Sequence, residues 1–127
     1  MRLSTRVPHG FSLHATVFSH GWSALQPFSV DRSGPGLSFV CNAGSPVRIT
    51  VVQRDGRLVI DAPAATQLGP VGRQRIVALV RSCLRIDDDL TEFYAEARRY
   101  PRYRWIPASG AGRLLRAPTV FEDVVKM

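Results

Sequence analysis

The three histidines are the residues best suited to acid–base or metal chemistry in this chain of 127 residues. His9, His14 and His20 stand five and six positions apart, so they do not share one face of a helix. No cysteine or aspartate stands at ligand spacing beside them, and a zinc site needs three or four convergent groups. We interpret them as solvent-facing or loop histidines, and we expect neither a metal site nor a cofactor.

Carboxylates and thiols give no clearer active site. Asp87, Asp88 and Asp89 are consecutive, but the glycine and the distant glutamate of a calcium loop do not follow them. They are typical of a turn between two helices, with negative charge at a helix N-terminus. Cys83 has no histidine near it and lies on the apolar side of a helical pattern, which disfavours a nucleophile. We therefore predict no catalytic residue in this chain.

The strongest functional signal is a segment at 98–118, here called the basic segment. It contains no acidic residue and combines arginines with aromatic residues: Arg98, Arg99, Tyr100, Arg102, Tyr103, Arg104, Trp105, Arg113 and Arg116. Arginines suit the neutralisation of phosphates, and interleaved aromatic rings suit stacking on bases. The alternative is that the aromatic side chains anchor the core while the arginines are merely solvated.

Two details of the basic segment bear on its contacts. Leu114 and Leu115 are expected to pack and to leave Arg113 and Arg116 outward. Gly110-Ala111-Gly112 lacks the rest of a nucleotide-binding motif, but its backbone could approach a phosphate. The candidate DNA contacts are therefore Arg99, Arg102, Arg104, Gly112, Arg113 and Arg116.

Composition agrees with a polyanionic partner. The formal net charge is +7, which favours nucleic acid first and an anionic membrane second. All but one of the 17 basic residues are arginine, a skew that genomic base composition can also produce. Two cysteines far apart in sequence suit buried thiols in a reducing compartment. With no apolar run of membrane-spanning length and no signal segment, we expect a bacterial-type cytoplasmic, nucleoid-associated protein without a membrane partner.

The elements that would position these residues begin with strands. Residues 1–10 lack periodicity and predict a loose lead-in, and the alternation from Phe11 to Val17 predicts a half-buried strand. Alternating runs at 37–42, 47–54 and 57–62 predict three more strands. Asp55-Gly56 between the last two is a strong hairpin signal, because the turn needs positive φ at both central residues.

The second half of the chain follows a helical period. Apolar residues at steps of three and four predict a helix from Pro70 to Leu84, and a second helix follows a capping box at Asp89–Glu92 and ends before Pro101. Strands followed by helices indicate an α+β fold, here an antiparallel sheet with two packed helices. The expected organisation is a lead-in at 1–10, an α+β domain at 11–97, the basic segment, and the first turns of a further helical domain at 119–127.

That last helix is well started but short. Thr119 to Glu122 forms a standard capping box, and an apolar stripe follows: Val120, Phe121, Val124 and Val125. About two turns of helix are not stable alone, so the stripe needs a partner surface. Either it docks on the sheet, or the helix continues into a domain that this chain does not supply.

The sequence resembles the N-terminal region of helix-hairpin-helix DNA glycosylases, the superfamily of alkylated-base and 8-oxoguanine glycosylases. The resemblance spans about residues 11–127 and is best at 112–122, where Gly-Arg-Leu-Leu-Arg precedes the capped helix. Weaker matches are Ile86-Asp87, Asp89-Leu90, Phe93-Tyr94, Ser19 to Trp22 and Pro27-Phe28.

The resemblance implies a half TATA-binding-protein-like fold and a role in base-excision repair, in which a damaged base flipped from double-stranded DNA is released by hydrolysis. The family's catalytic hairpin and aspartate lie downstream of the matched region. Gly21 matches a glycine near the base pocket, but Trp22 departs from the family's glutamine, so it either lines a pocket or fills the core. The alternatives are a self-standing, non-enzymatic DNA-binding module and a small protein-interaction domain.

Overall fold

The computed structural model describes residues 1–19, 21–25, 28–30, 36–63 and 68–126, leaving aside the side chains of Trp22 and Lys126. Within these ranges the chain forms an antiparallel sheet of five strands in the spatial order β1-β5-β4-β3-β2. The strands are β1 (Arg2–Arg6), β2 (Ser29–Val30), β3 (Leu37–Asn42), β4 (Pro46–Arg54) and β5 (Arg57–Asp61). The helices are α1 (Leu13–Val17), α2 (Pro70–Cys83), α3 (Thr91–Arg98), α4 (Trp105–Ser109) and α5 (Val120–Lys126). The fold is therefore α+β, as the sequence predicts, with α1 and α4 in addition to the expected helices.

The predicted strands β3, β4 and β5 follow the alternation of their residues. One face of the sheet, here called the inner face, is buried beneath the helices and carries Leu37, Phe39, Cys41, Val47, Ile49, Val51, Leu58 and Ile60. The register places Phe39 opposite Ile49 and Val51 opposite Ile60, so these side chains meet across the strands. The opposite, outer face carries the polar and charged residues of the same strands.

The hairpin between β4 and β5 is confirmed. Asp55 has φ 51° and Gly56 has φ 73°, the positive values that a two-residue turn of this twist requires. Arg54 and Arg57 close the hairpin as a cross-strand pair.

The prediction of a loose lead-in at 1–10 is wrong, because residues 2–6 form the edge strand β1 against β5. The sequence of β1 shows no alternation of apolar residues, because the polar residue Thr5 occupies one of its inward positions. Arg81 of α2 donates hydrogen bonds to the Thr5 hydroxyl at 2.8 Å and to the Arg6 carbonyl at 2.7 Å. A polar group is thereby satisfied where an apolar side chain would ordinarily lie.

The predicted strand at 11–17 is also wrong, because residues 13–17 form helix α1. Ser12 caps the helix by accepting a hydrogen bond from the Ala15 amide at 3.1 Å. Thr16 is fully buried and donates to the Ser12 carbonyl at 3.0 Å. The buried set of Leu13, Thr16 and Val17 follows steps of three and four, which the alternation of apolar residues disguised.

Helix α2 is confirmed, with Ile76, Val80, Cys83 and Leu84 buried on the core. It ends at Cys83 with Leu84 as the C-cap, and the next residue, Arg85, has a φ of 52° in the left-handed region. The Ile86 amide donates to the Arg81 carbonyl and the Arg85 amide donates to that of Ser82, as in a Schellman motif. An arginine therefore occupies a position where glycine is usual.

The two predicted capping boxes have different outcomes. At α5, the Glu122 amide donates to the Thr119 hydroxyl at 3.2 Å and the Thr119 amide donates to the Glu122 carboxylate at 3.1 Å, so this box is confirmed. At α3 the prediction is wrong: the cap residue is Leu90, without a side-chain bond. Asp89 instead accepts from the Thr91 amide at 2.9 Å, two residues on. Among the described helices, none is long and apolar enough to cross a membrane.

Candidate nucleic-acid interface

The basic segment is more structured than a connector. It leaves α3 at Arg98, forms a short 3₁₀ turn at Pro101–Tyr103 and the helix α4, and then runs extended from Ala111 to Ala117. Proline at the start of the 3₁₀ turn suits that position because its fixed φ is already helical. The predicted contacts consequently lie at the end of α3, in and just after the 3₁₀ turn, and along the extended chain.

Arginine side chains cover the first part of the basic segment, from the end of α3 to the start of α4. Arg98, Arg99, Arg102 and Arg104 are all exposed. Arg99 pairs with Glu96 at 3.2 Å, a contact between exposed groups that contributes little to stability. Arg104 donates to the Arg98 carbonyl at 3.0 Å. The guanidinium carbon of Arg102 lies 4.9 Å from the centre of the Tyr103 ring. These arginines present positive charge to solvent.

The aromatic residues of the basic segment are not core anchors. Tyr100 is 48% exposed, Tyr103 40% and Trp105 61%. The rings of Tyr100 and Tyr103 meet edge to face with centroids 6.1 Å apart. Of the two alternatives that the sequence left open, the structure favours accessible rings beside accessible arginines, the arrangement that base stacking needs.

Two apolar recesses flank these rings. The first, about 260 Å³, lies between α3 and α4 and is lined by Phe93, Glu96, Ala97, Tyr100, Tyr103 and Ile106. The second, about 380 Å³, lies between α1 and α4, with His14, Phe18, Trp105, Gly112 and Leu114 among its lining residues. Each recess is open to solvent, and neither lining includes an arginine.

The position of Arg113 differs most from the predicted site. It was expected to point outward, but it is only 5% exposed, whereas Leu114 is 51% exposed and Leu115 is buried. Its guanidinium donates to the carbonyls of Arg85 at 3.0 Å and Asp88 at 3.4 Å. It also approaches the hydroxyl of Tyr94 at 3.5 Å and lies 5.6 Å from the centre of the Phe11 ring.

A buried arginine held by carbonyl oxygens serves the fold. It bridges the end of α2, the turn before α3 and the extended chain, so it is not available to a phosphate. The left-handed conformation of Arg85 directs its carbonyl toward Arg113, and neither that role nor that of Tyr94 was found from the sequence. No periodic pattern signals such contacts, because the acceptors are backbone atoms 25 to 28 positions away.

The extended chain is held by backbone contacts on both sides. The Arg116 amide donates to the Cys83 carbonyl at 3.0 Å, and the Leu115 amide donates to the Ser19 hydroxyl at 3.2 Å. The Arg116 side chain is half-buried. Burial raises the pKa of the Cys83 thiol to about 12, and the nearby Arg116 charge lowers it only in part. Cys83 is therefore a neutral thiol at physiological pH.

Gly110 and Gly112 set the path of this extended chain. Gly110 has φ 72°, and a Cβ placed on it would lie against the backbone carbonyl of Gly10. Only glycine fits both the conformation and the approach. Gly112, with φ 114°, packs against the Phe93 ring, so its predicted backbone contact with DNA is restricted to its solvent side.

The predicted base pocket stays a prediction. Gly21 begins a short 3₁₀ turn at Gly21–Ala24. The side chain of Trp22 and the neighbouring residues His20 and Pro27 lie outside the described part of the chain. Among the described residues, no three His, Cys, Asp or Glu side chains stand close enough to hold a metal ion.

Comparison of this chain with protein-family models, with curated proteins and with solved structures found no match.

Proposed function

We propose that this chain is the N-terminal part of a helix-hairpin-helix DNA glycosylase, in which it supports a helical catalytic domain and contacts double-stranded DNA. Hydrolysis of the N-glycosidic bond would be performed by the family's catalytic hairpin and aspartate, downstream of the matched region. The α+β fold with an antiparallel sheet is of the kind that the resemblance implies.

The observation that carries the DNA contact is the composition of the exposed surface at 98–105. Four exposed arginines accompany three accessible aromatic rings here, and within the described part of the chain Glu96 supplies the only carboxylate paired with any of them. Phosphate contacts by arginine supply most of the sequence-independent affinity for DNA. Rings at 40% to 61% exposure can stack on bases without unfolding any element.

The last helix supports the part of the proposal that concerns a catalytic domain. Along α5 the side chains of Val120, Phe121, Val124 and Val125 are between 61% and 76% exposed, and they do not dock on the sheet. An exposed apolar stripe on a well-capped helix is typical of a surface that another element covers. This favours the glycosylase proposal over a self-standing DNA-binding module, whose surface would be closed.

Binding to a short double-stranded DNA, measured by fluorescence anisotropy over a series of salt concentrations, tests the contact. We expect the double variant Arg99→Gln/Arg102→Gln to bind more weakly and to reduce the slope of log affinity against log salt by about 2, since each phosphate contact contributes about 0.9. The matched control is Arg73→Gln/Arg75→Gln, which removes the same charge from the exposed side of α2.

If the two double variants weaken binding equally, the interaction depends on net charge alone, and the proposed interface is overturned. A separate assay addresses chemistry: incubated with DNA that carries alkylated bases, the chain should release no base. Robust release would contradict the proposal that the catalytic residues lie outside it.

A further inference from the structure

The outer face of the sheet carries a row of arginines that the proposed interface does not use. Arg6 of β1 pairs with Arg57 of β5, and Arg57 pairs with Arg54 of β4, so three arginines stand side by side across three neighbouring strands. We call this set the arginine row. Strand spacing of about 4.8 Å places the two outer members of the row about 10 Å apart at the backbone.

Like charges directly opposite each other on neighbouring strands destabilise a sheet. In the arginine row this repulsion is not relieved by ion pairs within the described ranges, since none of its three members is in an ion pair there. Arg57 instead donates to the Ser4 hydroxyl at 3.1 Å, which holds its guanidinium over β1. The turn residue Asp55 lies beside the row without forming an ion pair with a described residue.

The rest of the outer face extends this positive surface. In addition to the row, Arg2 and Arg48 point to the same side, and on the described strands only Asp61 opposes them there. Between the charges, Val52 faces Val59, and Ser38 is bonded to Thr50 at 2.9 Å. Asp61 lies opposite Thr50 in the register, at the end of the outer face away from the arginine row.

We infer that the outer face of the sheet is a second contact surface for the phosphate backbone of double-stranded DNA, with the arginine row at its hairpin end. Arginine binds phosphate through two parallel hydrogen bonds, so three neighbouring arginines, with Arg2 and Arg48 on the same face, suit a phosphate backbone. An anionic membrane fits less well, because membrane-surface segments insert large aromatic or aliphatic side chains, and the largest exposed apolar residue on this face is Val40.

The geometry has a stoichiometric consequence. The basic segment lies on the helix side of the sheet, where its extended part contacts Ser19, just after α1, and Cys83 at the end of α2, and the arginine row lies on the other side. A duplex of about 12 base pairs is far shorter than the DNA persistence length of about 150 base pairs and does not wrap around the protein. One chain should therefore bind two such duplexes at low salt.

Titration of the chain with this short duplex by isothermal calorimetry tests the inference. We expect Arg6→Gln/Arg54→Gln/Arg57→Gln to bind one duplex instead of two, with the salt dependence of the remaining step unchanged. Arg73→Gln/Arg75→Gln should keep both. If the row variant still binds two duplexes with the original salt dependence, the inference is overturned. The inference is also overturned if the row variant weakens binding to phosphatidylserine vesicles more than it weakens binding to the duplex.

A charge-reversal variant separates binding from folding. Arg57→Glu would form cross-strand ion pairs with both Arg6 and Arg54, so the melting temperature should rise or stay the same while the second duplex site is lost. A fall in the melting temperature with both sites retained would assign the row a structural role. Because these variants leave the basic segment intact, failure of this inference is distinguishable from failure of the proposed interface.

Discussion

The sheet and the basic segment hold their residues in place by different means. In β3, β4 and β5, every second side chain is buried, and each strand is fixed by many equivalent contacts with its neighbours. The extended part of the basic segment depends on a few unlike contacts: two glycines with positive φ, one buried arginine, one buried leucine and one buried alanine. A repeated pattern tolerates the loss of one member, whereas a chain fixed at single points does not. Substitutions at those points can therefore test the comparison.

The largest effect is expected for Gly110→Ala. The new Cβ would have an unfavourable φ of 72° and would lie against the Gly10 carbonyl, so the chain must move. We expect a loss of about 4 kcal/mol in the free energy of unfolding, measured by urea denaturation. Gly44→Ala is the control, because its φ of 108° is also positive but its Cβ would meet open space, and its loss should be about 1 kcal/mol. Equal losses would mean that close approach contributes nothing at Gly110.

The next largest loss of stability is expected at Leu115, and the adjacent Leu114 serves as its control. Leu115 is 2% exposed and packs in the core, whereas Leu114 is 51% exposed. Leu115→Ala should lower the free energy of unfolding by roughly 3 kcal/mol, because it removes buried methyl groups and leaves a cavity. Leu114→Ala should change it by less than about 0.5 kcal/mol. The reverse order in thermal denaturation would contradict the register of the extended chain.

Replacing Arg113 should have a moderate effect on stability. Arg113→Met keeps much of the side-chain volume but leaves the carbonyls of Arg85 and Asp88 without this donor. We expect a loss of about 2 kcal/mol, since each unsatisfied buried acceptor costs about 1–3 kcal/mol and the desolvation of the charge is recovered in part. Duplex affinity of the folded variant should be unchanged. A stable Arg113→Met protein with weakened DNA binding would restore Arg113 to the interface.

The smallest expected effect concerns the end of α2. At Arg85, with φ 52°, Arg85→Gly should be more stable than Arg85→Ala by about 1 kcal/mol, because only glycine adopts this conformation without strain. Both variants lose the bonds of the arginine side chain to Asp88 and Leu114, so those contacts cancel in the comparison. Chemical denaturation that finds alanine the more stable residue would contradict the left-handed conformation.

Elements with repeated burial patterns could be predicted from the sequence, whereas elements fixed by single contacts could not. Strands β3, β4 and β5, their hairpin and α2 follow from residue periodicity, which encodes burial directly. Strand β1 was missed because Thr5 is satisfied by Arg81, 76 positions away. Helix α1 was missed because Leu13 and Val17 fit both an alternating and a helical pattern, and the cap at Ser12 decides between them.

The candidate site was predicted only in part for the same physical reason. Arg99, Arg102 and Arg104 were placed correctly at the surface because solvation is the ordinary state of an arginine. Arg113 was misplaced because its acceptors are backbone carbonyls whose direction depends on the turn at Arg85. The arginine row was missed because its members belong to three strands and meet only in the folded register.

Arginine modification by phenylglyoxal, mapped by mass spectrometry with and without saturating duplex, tests whether the exposed arginines at 98–104 contact DNA. We predict that Arg98, Arg99, Arg102 and Arg104 become protected when DNA is bound, that Arg73 and Arg75 stay reactive, and that Arg113 reacts slowly in both states because it is buried. Reactivity of Arg99 and Arg102 that DNA leaves unchanged would contradict the assignment of this surface to DNA.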